Sequence, residues 1–278
     1  LLPGSANTSL IFLSNIGSLF AFIAMKKLVL LETGSEKLAV KSVWLLAIFP
    51  SSFVLTWAYA ESLFLTASIF CFIALRKENW KIVALSAFLA SSLRPTGLLL
   101  AIPIICVLCE NWKQQDRKNF LNPLIALFFS FAGGGIFVIW SSVHFGQPLA
   151  PLKAQEALRG NFVDPFSRLF KGVWRVFTNN SSTETLHIIS AFLLLFLLVK
   201  LFQDWPLRYG FFSTACIAIA MGAENINSLE RYALNGFPVI LSVLIISGYP
   251  RLRFAVPFVS ACCMVSLCVF AWLGVYVP

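Results

Sequence analysis

Apolar runs separated by short polar turns fill almost the whole of this 278-residue chain, at 8–25, 42–57, 61–75, 82–93, 96–110, 121–143, 184–202, 208–223, 232–248 and 254–276. A helix needs about 20 such residues to cross a bilayer, fewer where neighbours or local thinning help. Hydrophobic residues make up 59% of the chain and charged ones 12%, against roughly 45–50% and about 25% in soluble domains. A core of this size cannot hide that much apolar surface from water. The pattern excludes a soluble globule, a disordered chain, a disulfide scaffold and, despite a net charge of +9, a nucleic-acid binder. It predicts an all-α, polytopic transmembrane bundle of about ten hydrophobic segments, with residues 1–278 forming one integral membrane domain. The pairs 42–57/61–75 and 82–93/96–110 meet at Pro50–Glu61 and at Arg94-Pro95. Each pair reads either as a tight hairpin or as one bent helix.

Charge placement supports strict alternation. Arg94, Lys153, Arg159, Arg168, Lys171, Arg175 and Arg231 then share one side, and the other 14 of the 21 basic residues share the opposite one. The acids divide six and six, giving net charges of +8 and +1. The basic side, with its short loops, is therefore assigned to the cytoplasm.

The remaining polar material gathers on the outer side, at Tyr59 and Glu61, Arg94, the loop 144–183, and Glu224–Arg231. A transporter places polar groups near mid-bilayer, often in repeated halves, and no internal repeat is evident. Chemistry on a lipid-linked substrate at the outer surface fits the pattern better. Within the loop, Phe166, Leu169, Phe170, Val173, Trp174 and Phe177 follow helical spacing, with Arg168, Lys171 and Arg175 on the other face. An amphipathic helix over 165–178 is expected, either as a platform for an anionic lipid carrier or as a plain loop anchor.

A carboxylate at membrane depth is costly, so Glu61 is expected to face a cavity or a cationic partner. Arg94 precedes Pro95, which ends a helix and biases Arg94 toward extended backbone, while Gly97 permits close backbone approach. Arg94 therefore either pairs with Glu61 or grips a phosphate. Arg231, in Glu230-Arg231-Tyr232, is a further phosphate ligand, and Gln155 and Glu156 offer hydrogen bonds to a sugar. His144 and His187 read as interfacial residues, and the seven cysteines as packing residues despite the Cys106–Cys109 spacing. Gly133-Gly134-Gly135 reads as close helix packing. No metal cluster, serine triad or dinucleotide fingerprint is recognised.

Around these residues the chain resembles the PIG-V family, which comprises the second mannosyltransferase of GPI-anchor synthesis and its bacterial relatives. Phe49-Pro50 with Tyr59-Ala60-Glu61-Ser62-Leu63-Phe64 is similar to that family's Pro…Tyr-Ser-Glu-Ser-Leu-Phe stretch. Ser91–Gly97 resembles its Arg-x-x-Gly element, Phe145–Ala150 with Gln155 its Gly-x-Pro…Gln segment, and Arg231-Tyr232 with Phe237-Pro238 its late Arg-Tyr…Phe-Pro element. The resemblance covers residues 9 to 250. It implies a C-type glycosyltransferase fold that transfers a sugar, usually mannose, with inversion from a polyprenyl-phosphate donor on the non-cytoplasmic face. The acceptor would be lipid-linked or a glycan. Supporting Glu61 and substrate-binding Tyr59, Arg94, Gln155 and Arg231 would line the site, with membrane lipids and the lipid-linked donor as partners and no resident cofactor. In the family the catalytic Asp lies in a first outer loop, and Leu1-Leu2-Pro3-Gly4 resembles the point just after it. The 278 residues alone are accordingly expected to lack an upstream helix, that Asp and hence turnover. A lipid-carrier flippase or transporter is the alternative. The bacterial-like segment favours a bacterial inner membrane. The sequons at Asn179-Asn180-Ser181-Ser182 would matter only for an endoplasmic reticulum protein.

Overall fold

The computed structural model describes residues 6–110, 120–179 and 182–276. Leu1–Gly4, the loop residues Lys113, Arg117 and Lys118, and the Asn180–Ser181 pair of the sequons lie outside the described residues. The fold is all-helical, and no strand forms among the described residues, only an isolated bridge between Phe162 and Ala223. The helices are α1 (Ala6–Thr33), α2 (Glu36–Ala47), α3 (Glu61–Arg76), α4 (Trp80–Leu93), α5 (Ala101–Glu110), α6 (Leu121–Phe145), α7 (Ala150–Arg159), α8 (Pro165–Asn179), α9 (Ser182–Asp204), α10 (Leu207–Met221), α11 (Leu229–Ala233), α12 (Val239–Ile246) and α13 (Ala255–Trp272).

The expectation of about ten spans needs correction. Four helices are long and apolar enough to cross a bilayer, α1, α6, α9 and α13. The bent pair α11–α12 makes a fifth if its 88° break is one interrupted span. Local chemistry explains the shortfall. The 42–57 run stops being α-helical after Ala47, turns at Pro50 and continues as a 3-10 turn over Ser52–Thr56. The 96–110 run opens with a 3-10 turn, Pro95–Leu100. Pro238, with no amide proton, marks the α11–α12 break. Three shorter apolar helices, Trp80–Leu93, Pro95–Glu110 and Leu207–Met221, pack among the long ones.

The junctions follow from their residues. Ser35 caps α2 by accepting from the Leu38 amide, and Asn79 caps α4 by accepting from the Ile82 amide. Arg94 is extended (φ −149°, ψ 144°), as a residue before proline should be. Glycine is required where helices meet. A Cβ at Gly97 would lie 2.3 Å from the Ala90 carbonyl, and one at Gly133 would lie 2.1 Å from the Phe88 carbonyl on α4. The close-packing reading therefore holds at Gly133 but not at Gly135, which faces open space. An aromatic knot of Phe72, Tyr209, Phe212 and Phe237, with centroid distances from Phe72 of 4.7, 5.4 and 5.4 Å, ties α3, α10 and the α11–α12 break together.

Two polar clusters sit at opposite ends of this bundle. Glu32 accepts from the Tyr209 hydroxyl at 2.9 Å and lies 3.5 Å from Arg208 and 3.6 Å from Arg76. Glu61 opens α3 and Arg76 closes it, so the second cluster, around Glu61, is roughly 22 Å away at 1.5 Å per residue. The ion pairs of Glu32 with Arg76 and Arg208, of Glu61 with Arg94 and Arg231, and of Arg168 with Glu184 each join groups that charge alternation assigns to the same side.

Candidate functional site

The second cluster assembles residues from four places in the chain. Glu61 sits in the first turn of α3, where the helix dipole favours an anion. The Trp57–Ala60 bend sets Tyr59 beside it, its carbonyl held by the Ser14 hydroxyl at 2.7 Å. Arg94 comes from the proline-terminated end of α4, and Arg231 and Tyr232 come from the short α11. Gln155 and Arg159 come from α7.

Glu61 is the hub of charge. Its carboxylate is 2% exposed and faces two guanidiniums, pairing closely with Arg94 and lying 3.3 Å from Arg231 Nε. Both alternatives left open for Arg94 therefore stay in play, since it meets Glu61 and still keeps 13% of its side chain exposed. Tyr232 is the hub of geometry. The guanidinium carbons of Arg159, Arg231 and Arg94 stand 4.5, 5.0 and 5.5 Å from its ring centre, and Arg231 also lies 5.0 Å from the ring of Tyr59. Its phenol oxygen accepts from Gln155 Nε2 and from Arg231 Nη2, each at 3.3 Å, leaving its own O–H as the remaining donor. Arg159 donates to the Ala220 carbonyl and makes no ion pair among the described residues. Burial lowers the pKa of Arg159 and the nearby Arg231 adds to this, while Tyr232 pulls the other way.

Three guanidiniums thus ring Tyr232 while one carboxylate pairs with two of them, a surplus of two positive charges among these four groups. Glu61 Oε1 is held by its ion pairs with Arg94 and, at 3.3 Å, with Arg231 Nε, whereas Arg159 Nε is buried without a hydrogen-bond partner, a costly arrangement in a low-dielectric setting. An anion with several acceptor oxygens would satisfy that donor and the charge.

The structure brings Tyr59, Glu61, Arg94, Gln155 and Arg231 together and adds Arg159 and Tyr232. Arg159 was legible only as one of seven cations on an otherwise cation-poor side. Glu156 is exposed and does not join the cluster. His187 is buried, its Nδ1 3.1 Å from both carboxylate oxygens of Glu230, which also accepts from Tyr276 at 3.3 Å. One reading fails. Arg168 does not face outward with Lys171 and Arg175 but turns into the protein as a bidentate partner of Glu184, at 2.8 and 3.1 Å. His144 is exposed, as expected. No group of three or more metal-ligating side chains occurs among the described residues.

An apolar cleft of about 360 Å³ opens between α9, α12 and α13, lined by residues such as Leu193, Leu197, Val243, Ile246 and Val256. Glu230, the residue before Arg231, is among its lining residues. No family model, curated protein or solved structure matches this chain.

Proposed function

We propose that the chain is an integral membrane glycosyltransferase of the PIG-V type, transferring a sugar, with mannose the expected one, from a polyprenyl-phosphate donor at the non-cytoplasmic face of a bacterial inner membrane. The observation that carries this is the surplus of two positive charges around Tyr232, set at the end of the bundle opposite the Glu32 cluster.

The charge arithmetic suits a leaving phosphate. A polyprenyl-phosphate sugar is a phosphodiester with one negative charge. When the acceptor hydroxyl attacks C1 and the C1–O bond breaks, the phosphate departs as a monoester with a charge near −2 at neutral pH. Arg94, Arg159 and Arg231 stabilise the departing form more than the bound donor, which is what lowers a barrier. Glu61 is committed to two guanidiniums and serves as their anchor. The resemblance gives the role of base, which takes the acceptor proton, to an Asp. Gln155 and the Tyr232 hydroxyl orient the sugar or a phosphate oxygen, and the apolar cleft is suited to the isoprenoid chain.

The test is binding of polyprenyl phosphate, with neutral polyprenol as control, to the protein in nanodiscs, together with transfer of labelled mannose from polyprenyl-phosphate mannose by the full-length protein. Polyprenyl phosphate should bind at least about ten-fold more tightly than polyprenol, and Arg94→Ala should lower transfer by roughly 100-fold or more. Equal binding of the two lipids, transfer indifferent to Arg94, or movement of the lipid-linked sugar across the bilayer without transfer would overturn it.

A further inference from the structure

The face of α8 turned away from the protein is apolar and aromatic. Phe166, Phe170, Trp174 and Phe177 are 81%, 76%, 66% and 82% exposed and follow one another at helical spacing. Such a stripe on a water-facing surface carries a large hydration cost, and aromatic rings of this kind are enriched where membrane meets water. Lys171 and Arg175, each one position past a stripe aromatic, are both exposed, and α8 itself contains no acidic residue.

The opposite face fixes the helix in place. Arg168 is only 4% exposed, bidentate to Glu184, and it donates from Nε to the Glu224 carbonyl at 2.8 Å. Gly172 lets the backbone pack on Ile188 of α9, where a Cβ would come within 2.2 Å of that side chain. Beside this contact begins the exposed apolar face of α9, at Ile189, Phe192 and Phe196. The aromatic stripe thus continues a surface that belongs to a membrane-length helix. The Glu224–Asn225 segment, whose Asn225 amide donates to the Arg159 carbonyl, links α8 to the guanidinium cluster. Both therefore belong to the same end of the bundle.

We propose that α8 is a docking element for anionic phospholipids in the leaflet at that end, its aromatics among the acyl chains and Lys171 and Arg175 on the headgroup phosphates. The division of labour among the three cations follows from the structure: one is consumed as an internal pin and two remain for lipid. The assignment holds whether or not the guanidinium cluster transfers sugar.

The experiment places the photo-crosslinking residue p-benzoylphenylalanine at position 170 of the full chain, in nanodiscs holding equal amounts of phosphatidylglycerol and phosphatidylcholine. Irradiation should give adducts with the mass of a phospholipid, enriched in phosphatidylglycerol, each cation contributing up to roughly five-fold. Lys171→Gln with Arg175→Gln should bring the two lipids to parity without reducing total lipid adducts. These side chains are exposed, so folding is not at stake; position 174 serves as a second crosslinking site. Crosslinks to protein instead of lipid, no adduct at either position, or equal use of both lipids before the substitutions would overturn the proposal.

Discussion

Replacing Glu61 by glutamine separates a carboxylate that merely ties helices together from one that balances a phosphate site. Glu61 is 2% exposed and faces Arg94 and Arg231. Removing one member of a buried pair costs about 3–5 kcal/mol. Arg231 keeps the Tyr59 and Tyr232 rings at 5.0 Å, and both guanidiniums retain some contact with water, so a loss of about 2–3 kcal/mol is expected. The same change raises the local surplus from two positive charges to three. For a phosphate monoester of charge near −2 about 6–7 Å from the lost carboxylate, an effective dielectric near 20 gives about 5 kcal/mol of added attraction. After a discount for counter-ions, that is roughly ten-fold or more in affinity. Thermal unfolding and a native mass spectrometry titration with polyprenyl phosphate, both in nanodiscs, read the two effects. The variant should be less stable yet bind the lipid phosphate more tightly, with polyprenol binding unchanged. Lower stability with unaltered phosphate affinity would refute the reasoning and leave Glu61 as a structural pin.

Arg159→Gln removes a guanidinium that makes no ion pair among the described residues. It should weaken polyprenyl phosphate binding by about 1.5–3 kcal/mol, roughly 10- to 150-fold, and the lost hydrogen bond to the Ala220 carbonyl should cost about 1–3 kcal/mol of stability in thermal unfolding. Gly97→Ala forces a Cβ to 2.3 Å from the Ala90 backbone. Thermal unfolding should report a loss of about 3 kcal/mol or more, because the backbone must shift. Asp164 accepts from the Ser167 amide at 2.7 Å, and that bond lowers its pKa from 3.8. A depressed folded value means its contribution to the start of α8 is present at neutral pH and fades as pH falls below the ordinary carboxylate range. Asp164→Asn should therefore speed amide hydrogen exchange at Ser167 at pH 7 and flatten its dependence on acid.

The helical membrane class and the grouping of most of the candidate site were legible because membrane cost makes polar residues scarce. Where carboxylates and guanidiniums are expensive, those that occur must find one another, and Glu61, Arg94 and Arg231 do. The break at Arg94-Pro95 and the close approaches at Gly97 and Gly133 followed from backbone sterics alone. Span count was not legible. Apolarity does not distinguish a crossing helix from a broken or short one buried among others, and turns such as Ser52–Thr56 are as apolar as the helices they interrupt. Long-range pairings were also hidden. Nothing near Arg168 marks Glu184 as its partner, and His187 meets Glu230, 43 positions further along the chain. Helical periodicity alone put Arg168 with Lys171 and Arg175, because it reports the face of a helix but not what lies against that face.

The central claim is that Arg94, Arg159 and Arg231 jointly hold a lipid phosphate. The most direct measurement is a cryo-electron microscopy map of the protein in nanodiscs with polyprenyl phosphate. The account predicts a phosphate within hydrogen-bond reach of at least two of the three guanidiniums, with its hydrocarbon chain running toward the cleft between α9, α12 and α13. A phosphate bound elsewhere, with the guanidiniums closed on Glu61 and Tyr232 as they are without it, would contradict the account.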